Sequence, residues 1–359
     1  MGAGVAGASI AHSLTLKSQK VLVVEKKAIA SGGSGSAGAF VSPKIGKNSS
    51  LQTLTNQSFD FAKDFYLKNT KEHFHQTGVV RIPKDESDEE KFFESYEQYN
   101  QNSYSVYSKE KLKTLKIKSQ FDSFYFDEAG DCDSLEVCEL LLKDIDIVYE
   151  NIEKIYREDN LWCVGEYKAP NLVLATGYES SLNNLRYMGI RGTWGSRGDF
   201  YSEYPLAVSM HQSLSIGANR DGIIKIGATH QKDIKEPTQC KEEDIKPLLE
   251  KASYLIDTTD LKLKQIFCGM RAGSKDYFPL VGKVIDVNYM LETYPKILKG
   301  AKPPLKYIDN LYILNGLGGR GFVFAPLMAD MLSSLIVDNI EVDSRVNPDR
   351  LFLKWCRKK

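Results

Sequence analysis

A chain of 359 residues exceeds what one hydrophobic core ordinarily organises, so two domains sharing an interface are expected. Its 42% hydrophobic and 26% charged residues match globular averages and exclude a disordered or fibrous chain. Lys+Arg 47 against Asp+Glu 47 excludes the overall basic excess common among nucleic-acid binders, so such a partner must be met by a local patch.

The first motif is Gly2-Ala3-Gly4-Val5-Ala6-Gly7, a GxGxxG turn leading into apolar positions Val5, Ala8, Ile10, Ala11 and Leu14 at helical spacing. Gly2 suits the tight turn, Gly4 lets backbone approach a pyrophosphate, and Gly7 lets the helix lie close to a strand with its N-terminus facing the phosphates. Val21-Leu22-Val23-Val24 then reads as a buried strand ending in Glu25, the ribose-binding position of a dinucleotide fold. The competing reading is a Gly-rich turn and a solvated Glu25. Only Met1 precedes Gly2, whereas a phosphate loop normally follows a strand. The first, central strand is therefore expected to be missing and the natural chain to begin upstream.

Residues 31–39 (SGGSGSAGA) are small enough to let backbone approach a planar ring, with Ser34, Gly35, Ala37 and Gly38 as the contacts; a flexible linker is the alternative, disfavoured by Phe40, Val41 and Pro43 following directly. Residues 84–120 read as charged and helical without a chemical motif. They carry Lys109, Lys111, Lys113, Lys116 and Lys118, which form either a phosphate-binding patch or a solvated face. Ile147-Val148-Tyr149-Glu150-Asn151-Ile152 reads as a strand and turn. Asn171-Leu172-Val173-Leu174 is a buried strand ending in the small turn Ala175-Thr176-Gly177, as expected where a strand stops at a cofactor.

Residues 186–230, rich in Tyr, Trp and Gly and alternating through Gly222–Ala228, indicate antiparallel strands. A second lysine group comprises Lys296, Lys299, Lys302 and Lys306. Near the end, Leu311-Tyr312-Ile313-Leu314 runs into Gly316-Leu317-Gly318-Gly319-Arg320-Gly321 and a helix from about Ala325 to Ile336. That helix N-terminus suits the electron-rich edge of a reduced flavin; a plain strand–helix turn is the alternative. A nicotinamide enzyme needs only the first fingerprint. The three further small-residue segments point to FAD. The six cysteines (132, 138, 163, 240, 268, 356) form no CxxC pair, which argues against a zinc site or disulfide framework and fits a reducing cytoplasm. His73-x-His75 has no nearby carboxylate or cysteine in sequence, so surface histidines and no metal are expected. No apolar run approaches the length of a membrane span, and neither export nor membrane insertion is expected.

In order, GAGVAG, VVE, SGGSGSAG, LVLATG, GMRAGSKDYFPLVG (269–282) and NGLGGRGFVFAP (315–326) resemble the D-amino-acid oxidase superfamily of FAD-dependent oxidoreductases, over nearly the whole chain. Within it, residues 31–46, 271–282 and 318–327 are most similar to the C-terminal oxidoreductase half of the bifunctional enzymes that mature tRNA wobble 5-methylaminomethyl-2-thiouridine. The resemblance implies an α/β, two-domain fold of glycine oxidase type, with a Rossmann-like FAD-binding domain and an antiparallel-sheet substrate domain. The former would comprise 1–50, 130–185 and 305–359, and the latter 51–129 and 186–304. A methyltransferase half lies upstream in that family, whose absence would account for the missing strand, and Ile152 takes the family's usual Val position, where the backbone would meet adenine.

The resemblance further implies FAD held without a covalent bond, although Cys268 lies one residue from where some sarcosine oxidases attach flavin. Arg271 would grip the substrate carboxylate by two parallel hydrogen bonds, with Arg191-Gly192 and Arg320 as second choices; a structural salt bridge is the competing role. The reaction expected is oxidation of the carboxymethylaminomethyl group on the tRNA wobble uridine to the aminomethyl form, releasing glyoxylate, with tRNA as partner and dioxygen as electron acceptor. The alternatives are a small-molecule oxidase acting on glycine or sarcosine, and a flavin-binding module without activity.

Overall fold

The structure is a computed structural model that describes residues 1–179 and 184–359; residues 180–183, within the expected FAD-binding segment 130–185, lie outside the described residues. In chain order the elements are α1 (Val5–Leu16), β1 (Leu22–Glu25), α2 (Ser50–Asn69), β2 (Val79–Arg81), β3 (Ser105–Tyr107), α3 (Lys109–Thr114), β4 (Ser123–Phe126), β5 (Asp146–Tyr149) and β6 (Leu172–Leu174). They continue as β7 (Arg191–Tyr201), β8 (Ser209–His211), β9 (Ser215–Ile216), β10 (Ile223–Gly227), α4 (Lys246–Ser253), β11 (Lys262–Gly273), β12 (Leu280–Ile285), α5 (Val287–Thr293), β13 (Tyr307–Asn315) and α6 (Gly321–Asp338).

One layer is built from parallel pairs. The apolar run Leu22–Val24 pairs in parallel with β5, and β6 pairs in parallel with β13, whose other edge takes β12 antiparallel. The backbone of Met1 and Gly2 lies between β1 and β6. The Met1 amine donates to the Val173 carbonyl (2.7 Å), the Met1 carbonyl accepts from Ala175 N (2.9 Å), and Gly2 N donates to the Val24 carbonyl (2.8 Å). Helices α1, α2 and α6 bury Val5, Ala8, Leu54, Phe59, Phe322, Val323 and Met328 in one core beside these strands.

The second layer is an eight-stranded sheet in the order β11-β7-β10-β9-β8-β2-β4-β3, antiparallel except for β8 against β2. Directly opposed residues project to the same face of a sheet. One such row runs across it: Phe124, Arg81, His211, Ser215, Gly227, Arg197, Phe267. The adjacent positions Val80, Met210, Ile216 and Ile226 project to the other face and bury against Leu248 and Ala252 of α4. The apolar face thus serves the core, and the face bearing Arg81, His211 and Arg197 turns toward the helical layer. One carboxylate ties the layers together. Asp133, just after the short strand Gly130–Cys132, accepts from Arg220 (2.7 Å), Lys225 (3.0 Å) and His75 (2.7 Å). Burial raises its pKa, but these donors outweigh it and hold the carboxyl well below the ordinary range.

Three expectations need correction. β3 lies within the stretch read as helical, because an edge strand needs only one partner and its exposed residues carry little apolar signal. α6 starts at Gly321 rather than near Ala325, and residues 318–338 are long and apolar enough to cross a membrane by length and composition. They form instead the core helix of this fold, with Phe322 through Pro326 buried.

Pro326 should interrupt α6, since it has no N–H for the carbonyl four residues back, that of Phe322. Tyr66, fully buried on α2, donates its hydroxyl to that carbonyl at 2.8 Å. Replacing Tyr66 by Phe is expected to destabilise the protein by about 1–3 kcal/mol. In a Pro326→Ala background, where a backbone N–H replaces the hydroxyl, the loss should shrink; a denaturant-melt double-mutant cycle measures this, and a coupling of zero would sink it.

Candidate active site

The glycine turn is held by contacts that leave no room for side chains. A Cβ on Gly7 would stand 1.8 Å from the Gly2 carbonyl oxygen, and one on Gly2 would meet the Ala175 carbonyl oxygen at 2.4 Å. The turn therefore abuts Ala175, beside Thr176 and Gly177. Asn315, buried at the end of β13, donates to the Gly177 carbonyl (2.7 Å), so the two strand ends and their turns form one unit. Glu25 accepts from Ala3 N (2.7 Å) and Lys27 N (3.0 Å), pinning the loop from below. Ser34 Oγ accepts from Val5 N at 2.9 Å, which places the small-residue loop over the α1 N-terminus. Ile152 follows β5, whose last residue pairs with Glu25.

The N-termini of α1 and α6 converge. A Cβ on Gly321 would stand 3.2 Å from Val5 Cγ1, and neither N-cap residue, Gly4 or Arg320, caps its helix with a side chain, although at α1 Ser34 Oγ takes the Val5 N–H. Their first-turn N–H groups and positive dipole ends face one region. Gly4, Val5, Ala6 and Gly7 lie at one terminus, and Gly318, Gly319, Arg320 and Gly321 at the other. This cradle fits a pyrophosphate and a planar, electron-rich ring.

Arg271 lies on β11, on the sheet face that looks at this cradle. Its guanidinium lies where a Gly195 side chain would be, with a Gly195 Cβ falling 2.4 Å from Nη2, and its stem passes 4.0 Å from where a Cβ on Gly319 would lie. Nη1 donates to the Thr229 carbonyl (2.9 Å), and burial lowers its pKa. Among the described residues no carboxylate pairs with it, which removes the structural salt bridge considered from sequence. Arg191 is exposed at the start of β7 near Lys275.

Sequence reasoning missed most of the charge in this region. Arg81 on β2, His211 on β8 and Lys44 after residues 31–39 lie within electrostatic reach of Arg320. Burial lowers the Arg320 pKa to about 10, and burial together with Arg320 lowers that of Arg81 to about 9; both stay charged at neutral pH. Burial, Arg320 and Arg81 lower the Lys44 pKa. Burial first, then Arg81 and Arg320, holds His211 well below the usual imidazole range, so it is neutral. No motif joins residues 44, 81, 211 and 320; a charged residue at the end of the apolar run Val79-Val80 was the one sequence signal.

Other expectations resolve differently. Asp133 stands between His75 (2.7 Å) and His73 (3.8 Å), so the pair does have a carboxylate near it; the acid, far away in sequence, follows the short strand Gly130–Cys132 that pairs with Phe74–His75. His211 is half-buried rather than a surface histidine. Cys240 and Cys268 form a disulfide, Cα–Cα 5.8 Å, against the expectation of none, because the segment before α4 folds back over β11. Cys268 and Arg271 are three positions apart on a strand and so point to opposite faces. The lysines at 109–118 lie on and after α3, at the β3 edge, and those at 296–306 follow α5, so the two groups belong to separate places in the fold.

A family model described as DAO, FAD dependent oxidoreductase, matches residues 1–335. The chain is 24% identical over 380 residues to the tRNA 5-methylaminomethyl-2-thiouridine biosynthesis bifunctional protein MnmC of Legionella pneumophila, which covers 99% of this chain and 57% of that protein. It thus spans little more than half the length of such relatives. Among solved structures it is similar to glycine oxidase from Bacillus cereus, with a TM-score of 0.77 and 21% identity over 95% of this chain and 94% of that one. It is similar also to L-proline dehydrogenase from P. horikoshii, with a TM-score of 0.78 and 16% identity over 97% and 96%. These likenesses place the fold among flavoenzymes of glycine oxidase type.

The close approaches predict a contrast between two glycines. Gly7→Ala must push α1 off the turn and is expected to cost about 1–3 kcal/mol and most of the bound FAD. At Gly32 a Cβ would meet nothing within 4 Å, so Gly32→Ala should retain the flavin. Visible absorbance per mole of purified protein reads both; equal flavin content would refute the role given to the turn.

Proposed function

Because the chain belongs to the DAO family of FAD-dependent oxidoreductases, we propose that it oxidises the carboxymethylaminomethyl group of a tRNA wobble uridine, yielding aminomethyl-uridine and glyoxylate. The observation that carries this reading is Arg271, a recessed guanidinium with no carboxylate partner among the described residues, set between the sheet and the Gly318–Arg320 turn. The relatives named for tRNA 5-methylaminomethyl-2-thiouridine biosynthesis support the choice of substrate.

In this reading Gly2, Gly4, Val5, Ala6, Gly7 and Glu25 hold the adenosine and pyrophosphate end of FAD, with Ile152, Ala175, Thr176 and Gly177 beside them. Ser34, Gly35, Ala37, Gly38, Gly318, Gly319, Arg320 and Gly321 hold its ring. When bound, FAD accepts the hydride from the carbon between the substrate nitrogen and its carboxylate. Arg271 binds that carboxylate through two parallel N–H donors, fixing the carbon for transfer. The Thr229 carbonyl and the flat surface of Gly195 limit the guanidinium to one plane. Loss of hydride and proton leaves a carbon–nitrogen double bond, and water cleaves it to a primary amine and glyoxylate. The uncapped α6 N-terminus and Arg320 supply positive potential to the ring's electron-rich edge. Dioxygen is the electron acceptor in this scheme.

Anaerobic absorbance with separate additions tests the reading. Bleaching by tRNA bearing the carboxymethylaminomethyl group, and not by glycine or sarcosine, is expected; bleaching by a free amino acid alone would make the chain a small-molecule oxidase. Arg271→Lys keeps the charge but loses the planar fork, and is expected to lower turnover by about 100-fold or more with FAD retained. Unchanged steady-state kinetics would remove Arg271 from the site.

A further inference from the structure

Resting on the reading that the substrate is RNA, we propose that Arg81, His211 and Lys44 form a second anion-binding subsite, separate from the carboxylate grip of Arg271, that takes a backbone phosphate of that substrate. Arg81 and His211 are directly paired in register on β2 and β8 and project to the face that looks at the cradle. Neighbouring strands lie about 4.8 Å apart, so the two non-bridging oxygens of one phosphate can reach both side chains.

Neither cation of the three is satisfied by the described residues. Among the described residues the Arg81 guanidinium and the Lys44 ammonium make no hydrogen bond or ion pair, and Asp88 reaches Arg81 only as a distant charge. Away from the cradle, the recessed cations Arg197 and Arg220 are paired, with Asp199 (2.9 Å) and Asp133 (2.7 Å). Leaving Arg81 unpaired costs stability unless a ligand supplies the charge. His211 Nδ1 is engaged by Ser215 Oγ at 2.7 Å, which fixes the ring and leaves Nε2 for a ligand. Held neutral by burial and the adjacent guanidinium, His211 offers one hydrogen bond, while Arg81 and Lys44 supply the charge.

The reacting carboxylate accounts for Arg271 alone. His211 stands four strand spacings from β11, about 19 Å along a flat sheet and less across a curled one. A free glycine cannot span the two places, whereas a nucleotide with its neighbouring phosphates can. A phosphodiester also suits an Arg with no counter-ion, since it presents a single negative charge on two oxygens in the plane of the guanidinium fork.

The test uses the holoenzyme with two probes: an anticodon stem-loop RNA carrying the carboxymethylaminomethyl group, and the same modified nucleoside without phosphates. RNA affinity is read by fluorescence anisotropy over a salt series, and kcat and KM by flavin reduction. Arg81→Gln is expected to weaken RNA binding about tenfold or more and to reduce the slope of log affinity against log salt by about one. Its effect on nucleoside KM should be at least about tenfold smaller. Arg81→Lys should restore most of the salt slope, which a merely structural role would not require. Lys44→Gln, in a loop held through its backbone N to Asn56 (2.8 Å), gives a second variant should Arg81→Gln fail to fold. RNA affinity and salt slope unchanged in both Gln variants, or nucleoside and RNA losing equally, would overturn the subsite while leaving the tRNA reading intact. If wild-type flavin is reduced by neither probe but by free glycine, the tRNA reading fails and the subsite with it.

Discussion

The approach of α1 to the Gly2 turn is the contact on which the rest of the site depends. Helix and turn meet backbone to backbone, the Gly2 carbonyl occupying the space where any side chain on Gly7 would lie. That contact fixes where the α1 N-terminus points, and the turn's contact with Ala175 fixes it relative to β6. Glu25 and Ser34 then bond to N–H groups of a loop whose position is already set. The second helix end is brought alongside by the α6 packing that Tyr66 makes tolerable despite Pro326. Two dipoles of the same sign at one place are unfavourable in an empty protein and favourable to an anion.

Charge in this molecule is neutral in sum and uneven in space. Acids and bases of the second layer are largely matched, as at Asp131, Asp133, Arg220 and Lys225, where the pairs hold the two layers together. Around the cradle they are not. Arg81, Arg271, Arg320 and Lys44 have no carboxylate partner among the described residues, and His211 is forced neutral by burial and its neighbours. Partnered cations hold the fold, whereas unpartnered ones can only be satisfied from outside it.

The eight-stranded sheet separates these roles by alternation. Its apolar face seals a core with α4, and the opposite face carries Arg81, His211 and Arg197 in one cross-strand row. A one-residue slip of any strand would exchange the faces, burying cations in the core and exposing Ile and Met. The same register that stabilises the sheet therefore places the charged groups of the site.

Local chemistry decided what could be read from sequence. The GxGxxG turn, the strand ending in Glu25, the small-residue run at 31–39, Leu172–Leu174 and the NGLGGRG turn are each a contiguous pattern, and each took the form its pattern indicated. Arg271 could be named as a candidate because it lies within a segment that carries the family resemblance. The Arg81–His211 pair, the Lys44–Arg320 proximity, the Asp133 clamp with His75 and the Cys240–Cys268 disulfide join residues from separate parts of the chain, so no spacing announces them. Edge strand β3 lacked an apolar signal, and the Phe322 carbonyl that Pro326 leaves unbonded in α6 is met by a hydroxyl from Tyr66, 256 residues away. Sequence determined the turns, the periodic elements and the cofactor class; tertiary structure alone decided which charges meet and which are left unpaired, because pairing depends on distance in space and burial, neither of which a linear pattern encodes.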